Sequence, residues 1–563
     1  MTKRFALLCA VSALALAGTA AAQTRHGAVA PAHAEHAPQD RVATATPIKH
    51  LVVLYNENVS FDHYFATYPH AANPAGEPAF HAASGTPRVN NLVAAHLLTR
   101  NPNDSNKANG ADAALPFRLD RTQAATADQN HAYTAEQLAY DHGKADLFPK
   151  YTGKATPGGV GAFGTKGQVM GYFDGNTVTA LWNYAQHFAM SDDAYTDTYG
   201  PSTPGALEVV SGQTNGMILV KTTKKPATVA KPSYYIHDGA GGLALINDVD
   251  PAYDVCSNPG NQVMMRGRNI GNLLNESDIT WGGFMGGFDL ARTNPNGTTG
   301  CQRSTYSEVV HAKVKDYIPH HDWFQYYAST ANPTHARPAS LKDIGYSFDA
   351  DHRPDPANHQ YGLKDFFAAV KAGDFPSVSF IKADGYQDGH AGYSDPLDEQ
   401  ASIVHLINFL ERQPAWKNTA VIITWDDSDG WYDHAFTRTT NPSFDPQADQ
   451  LDGPGRCGHG VPLPGIDGKP VNGRCGPGTR IPFMVISPWA KVDAVTHNRI
   501  TQASVVRFIE DNWLHGRRLG QGSFDATTGS IMDMFDFHRG GGHDRRLYLN
   551  PTTGTMLAKA PRG

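Results

Sequence analysis

Four apolar runs of strand length constrain this chain more than any other feature. They are Leu51-Val52-Val53-Leu54-Tyr55, Val378-Ser379-Phe380-Ile381, Ala420-Val421-Ile422-Ile423-Thr424-Trp425 and Phe483-Met484-Val485-Ile486. Runs with so little polar alternation read as strands buried on both faces. Helical patterns lie between and after them. Ile403, Leu406, Ile407 and Leu410 follow i, i+3, i+4, i+7 spacing in a segment that opens on Asp395-Pro396 and stops before Pro414. Leu363, Phe366, Phe367 and Val370 form a second apolar face with Gly373 as its stop, and Val505 to Trp513 forms a late one. Thr134-Ala135-Glu136-Gln137 has the form of a capping box. Strands alternating with helices predict an α/β sandwich around a mostly parallel sheet.

The chain has 563 residues, enough for one large α/β domain with insertions or for two domains. We read one catalytic domain over 47–563, with loop-rich insertions at about 215–316 and 436–480, where periodicity weakens and Gly, Pro, Asn and Thr gather. Residues 23–46, rich in Ala, His and Pro, read as a disordered lead-in. Residues 1–22 read as a signal peptide: Lys3 and Arg4, an apolar run from Phe5 to Gly18, then Ala20-Ala21-Ala22 before Gln23. That run is shorter than the roughly 20 residues a membrane span needs, so export to periplasm or medium is expected and stable membrane insertion is not. A net charge of −7 argues against nucleic-acid binding through the phosphate backbone. Cys256, Cys301, Cys457 and Cys475 remain after the signal segment. In an oxidising compartment they point to two disulfides, with local pairing expected; the alternative, a zinc site, lacks any C-x-x-C spacing.

The chemistry-bearing residues follow the strands. Glu57-Asn58 comes directly after the first run, where α/β sheets hold ligands. Asp426-Asp427 follows the third in the same way. Adjacent carboxylates there form either a turn with capping aspartates or a site for a hard cation of the magnesium, calcium or manganese class. Ser202, in Gly200-Pro201-Ser202-Thr203-Pro204-Gly205, is either a helix N-cap or a nucleophile held where helix N–H groups stabilise an anion. His131, His320, His321 and His390 lie in polar loops at element edges and suit phosphate binding, acid catalysis or metal ligation. Such a cluster, cationic below about pH 6.5, leads us to expect an acidic optimum.

Taken together, Glu57-Asn58-x-Ser60-Phe61-Asp62-x-Tyr64-Phe65, Gly200-Pro201-Ser202-Thr203-Pro204-Gly205, Asp388-Gly389-His390, Trp425-Asp426-Asp427 and Arg480-Ile481-Pro482 resemble the bacterial phosphoesterase family, in the same order over about residues 48–515. That family holds phosphatidylcholine-type phospholipases C and secreted acid phosphatase A enzymes. The resemblance implies an alkaline-phosphatase-like three-layer sandwich. It implies one divalent ion held by Glu57, Asn58, Asp426, Asp427 and the Ser202 Oγ. It implies phosphate contacts for Asn58, His131, His320 and His321, an active-site role for His390, and a phosphoserine intermediate on Ser202. Ser202 in a Ser-Thr-Pro-Gly turn is closer to the acid phosphatase branch; the phospholipase branch has Thr here, and an Asn-Arg where this chain has Gly205-Ala206. Asp427 stands where many members carry Glu. The expected substrates are small phosphomonoesters, with phospholipid headgroups as the alternative. A choline-binding cage would have to come from Trp281, Trp323, Tyr326, Tyr327, Trp431 and Tyr432, which otherwise pack in the core or a lid.

Overall fold

All four apolar runs become strands of one sheet in the computed structural model, which describes residues 39–220, 232–260, 262–538 and 544–561. The sheet has eight strands: β1 (His50–Asn56), β2 (Ala189–Ser191), β3 (Trp281–Met285), β4 (Gln360–Gly362), β5 (Val378–Lys382), β6 (Thr419–Trp425), β7 (Phe483–Ile486) and β8 (Ala494–Thr496). They lie in the order β4-β3-β5-β1-β6-β7-β2-β8. Only β7 runs against the others, so the sheet is mostly parallel as expected.

The side chains at the end of β1 show how the layers stack. Neighbouring residues on a strand point to opposite faces. The Tyr55 hydroxyl donates to the Gly205 carbonyl on the helix Ser202–Ser211, while the next residue, Asn56, donates from Nδ2 to Glu399 on the helix Pro396–Glu411. The two helices therefore cover opposite faces. Glu399 also accepts from the Tyr64 hydroxyl and from Trp425 Nε1, so one buried carboxylate ties the ends of β1 and β6 together. The helix Pro396–Glu411 begins as its sequence predicts: Asp395 caps it, accepting from the Leu397 and Asp398 amides.

Other expectations need correction. The segment 215–316 is not all insertion, because it contains β3. That strand, Trp-Gly-Gly-Phe-Met, escapes pattern reading because glycine weakens strand propensity. Here the glycines make room for rings: a Cβ on Gly282 would lie 2.8 Å from Phe284. Thr134 is not an N-cap. The helix spans Tyr133–Tyr140, and Thr134 donates instead to the Ala448 carbonyl. The lead-in is ordered from Gln39 onward, with a 3-10 turn at Gln39–Arg41 and the Thr46 amide donating to Asn512. The signal-peptide reading and the rest of the lead-in lie outside the described residues. Disulfides join Cys256 to Cys301 and Cys457 to Cys475, the local pairing expected. Among the described residues no helix is long and apolar enough to cross a membrane.

Two buried histidines that were not among the site candidates set an acid limit on stability. Burial pushes His63 down to about 3 and His359 to about 4. His63 stacks on Trp431 and His359 on Trp281, each with its Nδ1 on a backbone carbonyl. Both are neutral in the folded chain but titrate near 6.5 when unfolded, so the unfolded state binds more protons below that pH. Stability is therefore complete above about pH 6.5 and is lost as pH falls towards the folded values, by about 2 kcal/mol per histidine at pH 5. Denaturant unfolding from pH 7 to pH 5 should show this loss, and His359→Asn should flatten the slope. A stability that stays level over that range would contradict the assignment.

Candidate active site

The register of β1 against β6 builds the centre of the site. Asn56 pairs with Trp425, so the two residues that follow each strand, Glu57-Asn58 and Asp426-Asp427, emerge side by side at the carboxyl end of the sheet. Backbone bonds fix the loops: the Asp426 amide donates to the Asn56 carbonyl and the Val59 amide to the Asp427 carbonyl. Asn58 takes a left-handed conformation at φ 60°, one that Asn tolerates better than most residues.

Ser202 approaches from the helix it begins. It occupies the first helical position, after Pro201, so of the two sequence readings the helix N-cap does not apply. Gly205 permits the approach, since a Cβ there would sit 2.2 Å from the Asp426 carbonyl oxygen. Glu136 and Asp248 anchor the turn, accepting from the Gly200 amide and from the Thr203 amide and hydroxyl. Ser202, only 1% exposed, then has its Oγ 2.8 Å from Glu57 Oε2, 3.2 Å from Asp427 Oδ2 and 3.4 Å from Asn58 Oδ1.

One hydroxyl proton cannot satisfy three oxygens. Asp426 Oδ2 is also buried there with no hydrogen bond. Rotating the Asn58 amide would let its nitrogen donate to Glu57 at 2.6 Å and Asp426 at 3.1 Å, while its oxygen accepts from His390 Nε2 at 3.0 Å. With its oxygen towards Ser202, Asn58 would offer that oxygen to a cation among the carboxylates. Burial and the neighbouring Asp426 charge raise Glu57 well above the usual carboxylate range; burial raises Asp427 likewise, against the pull of His131. A crowded, dehydrated set of carboxylate, amide and hydroxyl oxygens fits a hard divalent ion.

The histidines line the same region in two pairs. His321 Nδ1 is 3.1 Å from Glu57 Oε1, and its Nε2 is buried without a partner. His320 packs edge-on against it and leans towards Asp250 at 3.7 Å. His131 pairs with Asp429 at 3.1 Å and lies edge-on to His390. Asp128, His131, His390 and Asp429 form a further cluster that could hold an ion. The expected uniform set of cationic imidazoles is not what the environment produces. Burial lowers all four, but Asp427 and Asp429 more than offset it at His131, and Asp250 and Asp248 at His320, so both end raised. His321 ends well below the usual range through burial and Lys382, and His390 at about 4 through burial and His131.

Sequence reasoning missed Lys382. It ends β5, and its ammonium donates to Glu57 and lies 3.6 Å from Asp426 Oδ2. Burial works against its charge, but Glu57 and Asp426 raise it overall. The available signal was a lone cation closing an apolar strand at the ligand-binding end of the sheet. Asp388, beyond the same strand, is pushed up to about 7 by burial. The aromatic residues named as a possible cage are all buried: Trp281, Trp323 and Tyr326 show no exposed surface, and Tyr432, the most open of the six, shows 3%.

Phospholipase C A of Mycobacterium tuberculosis is 22% identical over 477 residues, covering 82% of this chain and 72% of that protein. The non-hemolytic phospholipase C of Burkholderia pseudomallei is 23% identical over 484 residues, 84% of this chain and 56% of its own length. Among solved structures, murine ectonucleotide pyrophosphatase/phosphodiesterase 5 aligns with 64% of this chain and 95% of its own at 11% identity, with a TM-score of 0.29, too slight a likeness to bear on the site. The model of the Phosphoesterase family matches residues 48–514. The chain belongs to the phosphoesterase family and is a hydrolase of phosphoric ester bonds.

Proposed function

We propose that this chain is an exported, metal-dependent acid phosphatase that cleaves phosphomonoesters through a phosphoserine on Ser202. The observation that carries the reading is Ser202 Oγ, at the start of a helix, within reach of Glu57, Asn58 and Asp427 oxygens. Those residues and Asp426 would hold one divalent ion, which when bound supplies Lewis acidity to the serine oxygen and the phosphate. The Ser202 proton is directed at Glu57 Oε2. Oγ then bonds to phosphorus as the ester oxygen departs, and the departing oxygen takes a proton. His131, held protonated beside Asp429, is the better reservoir for that proton; His390, depressed to about 4, serves through Nε2 as a neutral hydrogen-bonding group. Water attacks the phosphoserine in the second half. His320, raised by Asp250 and Asp248, would hold a phosphate oxygen, whereas His321, kept neutral with Nδ1 on Glu57, presents an acceptor at Nε2 and serves mainly to orient Glu57. Export is supported by the signal-like first 22 residues and by the two disulfides.

The second reading is a phospholipase C, favoured by the names of the relatives. Against it stand the buried aromatics, which leave no open ring for a quaternary ammonium among the six residues named. Release of nitrophenol from a phosphomonoester and from the matching phosphocholine diester, from pH 4 to 9, separates the two. The monoester should turn over at least about tenfold faster, because Lys382 and the raised histidines favour a dianion. A preference for the choline diester would move the chain to the phospholipase reading.

A further inference from the structure

A cavity of about 470 Å³ lies beside the Ser202 turn, where the two loop-rich segments meet. The hairpin of Tyr235–His237 with Leu243–Leu245 supplies one wall, and Asp445, Gln447 and Ala448 supply another. The Asn472 amide donates to the Asp238 carbonyl and ties the second segment to the first. The start of the helix Tyr133–Tyr140 closes the remaining side. A Cβ on Gly200 would lie 3.3 Å from the Ile246 carbonyl oxygen and 3.6 Å from the Tyr133 Cβ, so the nucleophile's turn packs directly on two residues of the cavity lining. Ser202 itself is 1% exposed, whereas the His131 and His320 side chains keep 12% and 28% of their surface open. The centre therefore meets solvent at these two histidines. The cavity wall runs into both: Ala132 follows His131, and Asn247 lies just before Asp250, towards which His320 leans.

The lining says what the cavity can take. Among the described residues no lysine or arginine lines it, and Asp445 does, so it suits the uncharged alcohol part of an ester and not a second phosphate. Tyr235 and His237 stand two apart on one strand and share a face, with their rings edge-on at 6.0 Å. Tyr235 is half-buried and His237 exposed, over buried Ile236, Ile246 and Tyr133. Asn247 and Gln447 are more open and offer amides. Ring faces and aliphatic walls with a few amides match a planar ring that has hydrogen-bonding edges. We propose that this cavity is the leaving-group subsite, and that it selects phosphomonoesters whose alcohol carries an uncharged aromatic or heteroaromatic ring, an aryl alcohol or a nucleoside, over small aliphatic ones. This rests on the phosphomonoester reading of the Ser202 site. A quaternary ammonium is the poorer occupant, because cages for it enclose the cation among several rings, and Tyr133, the other phenol here, is 2% exposed. The ring binds away from phosphorus, so its contacts are the same before and in the transition state and act on KM more than on kcat.

The test uses pairs of substrates that share a primary-alcohol leaving group. Adenosine 5′-monophosphate against ribose 5-phosphate isolates the base, and 2-phenylethyl phosphate against ethyl phosphate isolates the aryl ring. The full chain should favour the ring-bearing member of at least one pair by about fivefold or more in kcat/KM, mostly through KM, and the pair that responds tells nucleoside from aryl alcohol. Tyr235→Ala should cut that ratio by about threefold or more, while Tyr235→Phe, which keeps the ring face, should retain most of it. Tyr306→Ala, an exposed tyrosine on the separate hairpin of Ser304–Ser307 with Ala312–Lys315, should leave the ratio as it is. A wild-type ratio below about fivefold in both pairs overturns the proposal and needs no variant to fold. So does a ratio that Tyr235→Ala leaves unchanged, and so does a preference for phosphocholine over every ring-bearing ester. A wild type that cleaves none of these monoesters would instead overturn the reading of the Ser202 site itself.

Discussion

Ser202→Ala should lower phosphomonoester turnover by about ten-thousand-fold or more, while the protein stays folded and still binds inorganic phosphate. Removing a nucleophile that acts with its neighbours as a unit has effects of this size. The substitution takes away only Oγ. The turn that places residue 202 is held by other groups, Glu136 on the Gly200 amide and Asp248 on Thr203, so the helix start should not move. Stability should be unchanged or slightly higher in the metal-free protein, because one oxygen leaves a cluster of oxygens that a single proton cannot satisfy. Two measurements separate the explanations for a loss. Calorimetric titration with phosphate reports whether the site still binds the anion. Acid quench of the wild type during turnover, followed by peptide mass analysis, should find a phosphate on Ser202. Turnover of Ser202→Ala within about tenfold of wild type would mean that another group or a water attacks phosphorus, and the phosphoserine route would fall.

How much of this could be read in the sequence depends on how local the signal is. β1, β5, β6 and β7 were legible because burial on both faces leaves an apolar run that needs no partner to recognise. The remaining sheet strands were not: β2, β4 and β8 have three residues each, and β3 is interrupted by glycines whose purpose, space for the Tyr361 and Phe324 rings, lies elsewhere in the chain. The site divides in the same way. Glu57, Asn58, Asp426 and Asp427 announced themselves by following strands, and the register of β1 on β6 is what turned two separate motifs into one cluster. Lys382 carried the same positional signal, but a single lysine at a strand end has many ordinary uses, and only its contact with Glu57 distinguishes it. The histidines show a different limit. Their identity was legible, but their charge was not, because it depends on which carboxylates fold beside them: Asp429 for His131, Asp250 for His320.

Arg480 is where the largest stability effect is expected. It is fully buried, with Nε on Asp433 at 3.0 Å, Nη2 on Asp62 at 3.2 Å, and Nη1 donating to the Asn90 and Asp192 carbonyls at 2.7 and 2.8 Å. Its guanidinium also lies over the Phe61 ring. Asp62 follows Glu57-Asn58 by a few residues, and Asp433 follows Asp426-Asp427. The arginine is therefore the latch between the two loops that carry the oxygen cluster, reinforced where the Asp62 amide donates to Asp433 and His434 donates to Asp62. Arg480→Met leaves two buried carboxylates with His434 as their nearest ionisable partner. Breaking a buried pair from one side costs about 3–5 kcal/mol, mostly from the charges left behind. Denaturant unfolding should show a loss of that size, and calorimetry should show weaker metal binding in whatever remains folded. Arg480→Lys should rescue little, because one ammonium cannot reach both carboxylates and two carbonyls as the fork does. Asp62→Asn with Asp433→Asn in the Arg480→Met background should recover part of the stability, since the unpaired charges are then gone, without recovering metal affinity if the latch is what sets the loop spacing. A loss below about 1 kcal/mol in Arg480→Met would show that the loops are held by their backbone contacts to β1 and β6 alone.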